Sequence, residues 1–546
     1  MNNDEMLTIP YLAGESFRKH GKNQAMGFVG EDVITYYQLR ERARSVMRLL
    51  EDHRIRPGDR VAILSTSMPN WGVAYLAITS MGAVAVPILP DFTPGEIANV
   101  LNHSEARALF LSGNLTHKVA GIKPEALETV IATDDFGIIS GNQQARFVGG
   151  SEPSGEYNVA EDDLAVIIYT SGTTGKSKGV MLTHRNICFT ARQVMTIQYV
   201  VESDVFLSIL PLSHTYEQTL GLVLPLFNGA MIWYLRKAPT PSVLLPALEQ
   251  VRPTTMLTVP LIMEKVYFGK VAPTFNKSKV VAFLYGTPLF RRLLNRIAGR
   301  KIYKAFGGRL RFFGVGGAKL NPTVEQFLLD AKFPYAIGYG LTETSPLLAG
   351  TKVGSCRLGS TGPAMQGVTL KINNPDPVTG EGEIWARGEN VMKGYYREPA
   401  MTAEVLTPDG WFRTGDLGAV DKHGYLSIRG RLKNMIVGSS GENIYPEEIE
   451  SVINDFGHVI ESLVVQKKGK LVAMVHLNIE ELQAKYAQMK KDFTDQAELI
   501  INEYLEELQR YVNSRVNRYS QLQLVVYQPE PFQKTATLKI KRFLYY

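Results

Sequence analysis

Short uninterrupted apolar runs alternate with longer stretches of helical spacing through about residue 350. The runs Arg60–Leu64, Ala83–Leu89, Ala108–Leu111, Leu164–Tyr169, Val205–Ile209 and Thr255–Val259 read as strands buried on both faces. Buried strands separated by helices predict an α/β fold, with parallel, doubly wound sheets in a large N-terminal region. From Gly359 to Gly430 the pattern shortens, with turn signals at Asn373–Gly380 and Asp421–Gly424, and predicts a small β-rich subdomain. Beyond Arg431 the pattern predicts a small α+β tail, including an amphipathic helical stretch from about Leu482 to Leu522. No internal repeat or low-complexity block interrupts this order.

Two apolar stretches raise the question of a membrane. Trp71 to Pro90 has no charged residue and is long enough to span a bilayer, but Gly72, Ser80, Gly82, Pro87 and Pro90 punctuate it. A buried helix, Trp71–Ser80, leading into a buried strand accounts for it without a span. Leu220 to Leu235 is broken by Pro225, Asn228 and Gly229. It leaves peripheral membrane contact as an open alternative.

Composition narrows the class. A chain of 546 residues exceeds what one core serves and predicts at least two domains. With 45% hydrophobic and 21% charged residues it is neither disordered nor fibrous. A net charge of +6 is small for this length, reads as a scattered surface excess and gives no nucleic-acid motif. Cys188 and Cys356 have no metal-ligand spacing, and no signal peptide is evident, so the expected setting is the cytoplasm.

The most informative chemistry lies in Tyr169-Thr-Ser-Gly-Thr-Thr-Gly-Lys-Ser-Lys-Gly179. Glycines allow close backbone approach, hydroxyls and amides donate to phosphate oxygens, and Lys176 and Lys178 add positive charge. A Walker loop would have glycine five positions before Gly175, where Thr170 stands. Val180–Leu182 follows as a further apolar run, and helical spacing starts only after His184-Arg-Asn186, so the segment reads as a strand-to-strand loop. It resembles the signature loop of the adenylate-forming superfamily: acyl-CoA synthetases, luciferases and adenylation domains of peptide synthetases.

Further motifs follow in the order that superfamily uses. Pro211-Leu-Ser-His-Thr-Tyr216 resembles the segment that walls the acyl and adenylate site, which gives His214 a place there. Gly314-Val-Gly-Gly-Ala-Lys-Leu320 can lay adenine against backbone at Gly316, Gly317 and Ala318, with Val315 where many relatives carry serine. In Tyr339-Gly-Leu-Thr-Glu-Thr344 the Tyr339 ring can stack on adenine beside Gly340. There Thr342 can bind phosphate, and the Glu343 carboxylate suits Mg²⁺. The resemblance assigns the ribose hydroxyls to Asp416 in Trp411-Phe-Arg-Thr-Gly-Asp416, and ribose or phosphate to Arg431. It makes Lys433 the hinge, with Asn434 where aspartate is common, and gives Gly438, Ser439, Ser440, Gly441 and Glu442 to the CoA tunnel. Gln533-Lys-Thr-Ala-Thr-Leu-Lys-Ile-Lys-Arg542 then places the catalytic lysine at Lys539, with Gln533 and Leu538 departing from the usual proline and glycine.

The resemblance thus implies that Thr170, Ser171, Gly172, Thr173, Thr174, Gly175 and Lys178 hold the ATP phosphates. Thr342, Glu343, His214 and Lys539 serve the reaction, and Glu343 serves the metal. Residues 1–431 would bind ATP and the acyl substrate, and 432–546 would form a mobile domain carrying Lys539. Features such as His214-Thr-Tyr-Glu217 and the basic stretch Phe290–Lys304 are most similar to long-chain fatty acyl-CoA synthetases. The implied substrates are a fatty acid, ATP and CoA, with Mg²⁺ as cofactor. An acyl-carrier-protein acceptor, and a non-catalytic homologue that keeps the fold, stay open as alternatives.

Overall fold

The computed structural model describes residues 5–170, 177–276, 278–437, 442–467, 469–482, 497–535 and 539–546. The chain divides into two units. The first comprises Met1–Lys371, Trp385–Arg413 and Lys422–Leu426, and the second Ile372–Ile384, Thr414–Asp421 and Ser427–Tyr546.

The first unit is built on two eight-stranded sheets. One runs in the order Leu347–Gly350, Tyr335–Gly340, Phe312–Val315, Thr255–Thr258, Val205–Ser208, Met231–Tyr234, Gln24–Phe28, Val33–Thr35. The other runs Gly394–Tyr395, Lys178–Thr183, Leu164–Thr170, Val84–Ile88, Arg60–Leu64, Ala108–Leu111, Thr129–Ala132, Ile138–Ser140. Central pairs are parallel, as in Arg60–Leu64 with Val84–Ile88 and Thr255–Thr258 with Phe312–Val315. Antiparallel pairing is confined to strands toward the ends, as in Leu164–Thr170 with Lys178–Thr183. The fold is the α/β architecture that the alternation of runs implies, and the six predicted strands all form.

The uncharged segment is resolved by burial. Residues 71–79 of the helix Pro69–Ser80 are all buried, and Val84–Ile88 is buried along its whole length in its sheet. Residues 218–227 form a widened turn, Gln218–Val223, and a short helix, Leu224–Phe227, every residue buried. No described helix is long and apolar enough to cross a membrane.

Two local expectations need correction. The helix after the glycine-rich loop starts at His184, earlier than its apolar spacing suggests, because Thr183 and Asn186 form a reciprocal capping box. The C-terminal amphipathic helix, described from Ala497, ends at Asn513 rather than near Leu522. There the Asn513 side chain accepts from the Leu522 amide at 2.8 Å and donates to its carbonyl at 3.0 Å, turning the chain back.

The second unit contains most of a four-stranded sheet, Thr369–Asn373, Gly382–Arg387, Phe412–Val420 and Leu426–Arg431 in that order. It also holds a three-stranded sheet, Val459–Lys467, Lys470–Leu477 and Leu524–Tyr527. Helices Pro446–Asn454 and Ala497–Asn513 share a core with the three-stranded sheet, through Ile449, Ile453, Val464, Ala473, Leu508 and Val512. The α+β tail is as expected.

Candidate active site

In the first unit the site grows from the carboxyl ends of neighbouring parallel strands, where α/β sheets place their ligands. Val205–Ser208, Thr255–Thr258, Phe312–Val315 and Tyr335–Gly340 are adjacent and parallel. The chain leaving the first leads to His214, the third ends in the Gly316-Gly-Ala turn, and the fourth runs into Thr342-Glu343.

The glycine turn is shaped by its neighbours. Gly316 N–H donates to the Thr258 carbonyl at 3.1 Å, and Gly317 has a φ of +84°, a region that favours glycine. A Cβ on Gly314 would lie 2.9 Å from Phe312 Cε1, 3.0 Å from Leu257 Cδ2 and 3.1 Å from the Tyr216 hydroxyl, and one on Gly316 would lie 3.3 Å from the Tyr216 ring. Val315 points into the core, whereas Ala318 is exposed. His214 Nδ1 accepts from the Tyr216 amide at 3.3 Å, so the histidine caps the turn that carries the tyrosine.

Tyr339 is buried, and Gly340 admits no side chain, since a Cβ there would lie 1.6 Å from the Pro346 carbonyl oxygen. The tight turn Thr342–Thr344 is held from both sides. Thr344 Oγ1 accepts from the Leu341 amide at 3.0 Å, and Asn390 Nδ2 donates to the carbonyls of Thr344 and Leu347 at 3.1 and 2.8 Å. The Glu343 carbonyl accepts from the Met392 amide at 2.9 Å. Its carboxylate Oε1 accepts from the Tyr395 hydroxyl, also at 2.9 Å.

Tyr395 joins this turn to the glycine-rich loop. Its strand pairs with Lys178–Thr183, Tyr395 opposite Val180, and the Lys178 ammonium sits 5.0 Å above its ring. Thr170 and Lys178 face each other at the mouth of the loop. A Cβ on Gly179 would lie 2.9 Å from Ile167 Cγ2, so this strand end also requires glycine. Ser171, Gly172, Thr173, Thr174 and Gly175 lie outside the described residues, as do Gly438, Ser439, Ser440 and Gly441.

In the second unit Asp416 and Arg431 are paired. The buried Asp416 carboxylate accepts from Arg431 Nε at 2.7 Å, while the Asp416 amide donates to Thr414 Oγ1 at 3.1 Å. Lys433 is exposed in a single turn, Leu432–Asn434, and Asn434 Nδ2 donates to Glu447 at 2.6 Å. Lys539 is exposed. Its amide donates to Thr535 Oγ1, its carbonyl accepts from the Thr535 amide at 2.8 Å, and Lys541 returns to Gln533. Glu442 is half-buried.

Among the described residues no group of three His, Cys, Asp or Glu side chains could cage a metal ion. A single carboxylate at Glu343 fits Mg²⁺, which keeps waters and substrate phosphates as its other ligands. Sequence reasoning missed Tyr395, Asn390 and the contact of Tyr216 with the glycine turn. Gly394-Tyr-Tyr396 is a signal for a strand edge, but nothing local ties it to Glu343.

The AMP-binding enzyme family model matches residues 15–396. The chain is 30% identical to a long-chain-fatty-acid–CoA ligase, FadD15, of Mycobacterium bovis, over 75% of this chain and 71% of that protein. It is 29% identical to a 3-[(3aS,4S,7aS)-7a-methyl-1,5-dioxo-octahydro-1H-inden-4-yl]propanoyl:CoA ligase of Rhodococcus jostii, over 85% of this chain and 86% of the relative. Among solved structures, an ATP-bound RpMatB-BxBclM chimera superposes with a TM-score of 0.78 at 26% identity, covering 98% of both chains. The model spans the glycine-rich loop, the glycine turn and the Glu343 turn together, and on that match the chain belongs to the AMP-binding enzyme family.

Proposed function

We propose that the chain is an ATP-dependent fatty acid–CoA ligase that acts on long-chain acids. The observation that carries this reading is the assembly of Lys178, Tyr395 and Glu343, which links a phosphate-type loop to a lone carboxylate suited to a nucleotide-borne cation. The long-chain preference is supported by similarity to long-chain-fatty-acid–CoA ligases.

In this reading a carboxylate oxygen of the fatty acid attacks the α-phosphorus of ATP, and the bond to the leaving pyrophosphate breaks. The products are an acyl-adenylate and pyrophosphate. Thr170 and Lys178, with the loop between them, hold the phosphates, and Thr342 donates to a phosphate oxygen. Glu343 would hold Mg²⁺, which when bound would supply charge neutralisation on the phosphates. Gly316, Gly317, Ala318, Tyr339 and Gly340 take the adenine, and Asp416 with Arg431 takes the ribose. His214 and Tyr216 line the acyl end. Lys539 offers its ammonium to the carboxylate and α-phosphate oxygens, where preorganised charge contributes most.

The second half-reaction needs a thiol at the same carbonyl. The CoA sulfur attacks it, AMP leaves, and Glu442 with residues 438–441 guides the pantetheine arm. Lys433 is assigned as the pivot between the two steps, with 1–431 as the adenylation part and 432–546 as the mobile part. The test is thioester formation from a long-chain acid and ATP, with CoA or acyl carrier protein as acceptor. CoA thioester is expected, and transfer to the carrier protein alone would replace this reading.

A further inference from the structure

The positive charge of this chain is not scattered. Between Lys265 and Val324 there are thirteen lysines and arginines and no acidic residue, more than the whole chain's excess of six, so the remainder is net acidic. Within this segment two consecutive helices, Lys279–Tyr285 and Pro288–Ala305, are joined by Gly286 and Thr287.

The second helix has two unlike faces. Its inner face is fixed: Gly299 leaves no room for a side chain, since a Cβ would be 2.5 Å from Ala331 Cβ, and Leu294, Ala298 and Ile302 pack on the core. Arg291 Nε and Asn295 Nδ2 both donate to Asp330 Oδ2, at 2.8 and 3.1 Å. The outer face carries Leu289, Leu293 and Ile297 at spacings of four, all exposed, with Leu289 at 77%. Beside them, at the same spacing, stand the exposed Arg292, Arg296 and Arg300. The preceding helix adds Phe283, also 77% exposed, and Val280.

Burying exposed leucine, isoleucine and phenylalanine is favourable, and monomeric proteins rarely leave such a group uncovered. A second copy of this face is a poor cover, because two segments rich in cations and lacking acids repel. Nucleic acid would use the arginines and leave the apolar stripe unsatisfied. A bilayer surface with anionic headgroups satisfies both: apolar side chains enter the acyl boundary while arginines and lysines meet phosphates. We infer that the outer face of helices 279–285 and 288–305 docks the protein on membranes that carry anionic lipid. This goes beyond the ligase reading and holds whichever acid is activated.

The test is sedimentation of the full chain with vesicles of phosphatidylcholine, with and without phosphatidylglycerol. Binding to the anionic vesicles is expected to be at least about tenfold tighter, and to weaken with salt. Two double variants, Leu289→Glu with Leu293→Glu and Arg296→Glu with Arg300→Glu, are each expected to lose about tenfold or more. Both should keep the native melting temperature, because the altered side chains are exposed. The inference is overturned if the native chain binds neither vesicle, or if both variants bind as it does. It is equally overturned if the leucine variant abolishes a dimer of a chain that ignores vesicles, or if the face retains an RNA oligomer independently of the leucines.

Discussion

The Tyr395 hydroxyl donates to Glu343 Oε1 at 2.9 Å while the Lys178 ammonium lies over the same ring, so one side chain touches both ends of the proposed phosphate site. A hydrogen bond to a charged acceptor is typically worth about 1.5–3 kcal/mol, and its loss here should act on the orientation of Glu343. Tyr395→Phe keeps the ring under Lys178 and removes only that bond. We expect kcat/KM for Mg·ATP to fall about tenfold, with a larger rise in the Mg²⁺ concentration needed for half-maximal rate than in KM for the acid. Steady-state titration of both ligands checks this, and an equal effect on the two would remove Tyr395 from the site.

Glu217, next to Tyr216, gives a pH prediction. Its carboxyl is fully buried, accepts from Ser208 Oγ at 2.6 Å, and is pushed up by burial to about 8. A Cβ on Gly221 would lie 2.5 Å from the carboxyl, so glycine makes its room. Among the described residues the ionisable side chains that sense its charge are the Tyr216 and Tyr234 phenols, themselves raised chiefly by burial. The folded state prefers the neutral acid. Its stability therefore suffers no penalty below the unfolded carboxylate range near pH 4.3, declines as pH rises toward 8, and levels off above. Glu217→Gln removes that decline. Its melting temperature relative to the native chain should climb between pH 5 and 8, reflecting up to about 1.4 kcal/mol per pH unit. A difference that stays flat with pH would show that Glu217 is ionised in the fold.

The two half-reactions can be separated genetically. Lys539→Ala is expected to cut adenylation about 10²- to 10³-fold while sparing thioester formation from supplied acyl-adenylate. Lys433→Pro should do the reverse, since proline locks φ near −65° at the proposed pivot. Stopped-flow pyrophosphate release and thioester yield from acyl-adenylate measure each step. Equal loss of both steps in Lys539→Ala would remove the lysine from the adenylation role.

Much of the scaffold is readable because its strands are buried on both faces. Val84–Ile88 and Leu164–Tyr169 appear as unbroken apolar runs whatever surrounds them. Boundaries set by side-chain bonds are less visible. Thr183 starts its helix through a capping box with Asn186, and Asn513 ends another by binding Leu522, neither of which apolar spacing records. The motifs marked Glu343, Asp416 and Arg431 individually, yet only the structure shows Asp416 and Arg431 as an ion pair. Tyr395 and Asn390 stayed hidden because their partners lie about fifty residues away and no local pattern encodes the meeting.

The most direct measurement of the central claim is pyrophosphate release from ATP with saturated carboxylates of increasing chain length, with and without CoA. We predict release that requires a fatty acid, rises toward long chains, and is accelerated by CoA as the acyl-adenylate is consumed. Absence of pyrophosphate release with every acid, or release indifferent to the acid supplied, would contradict the account.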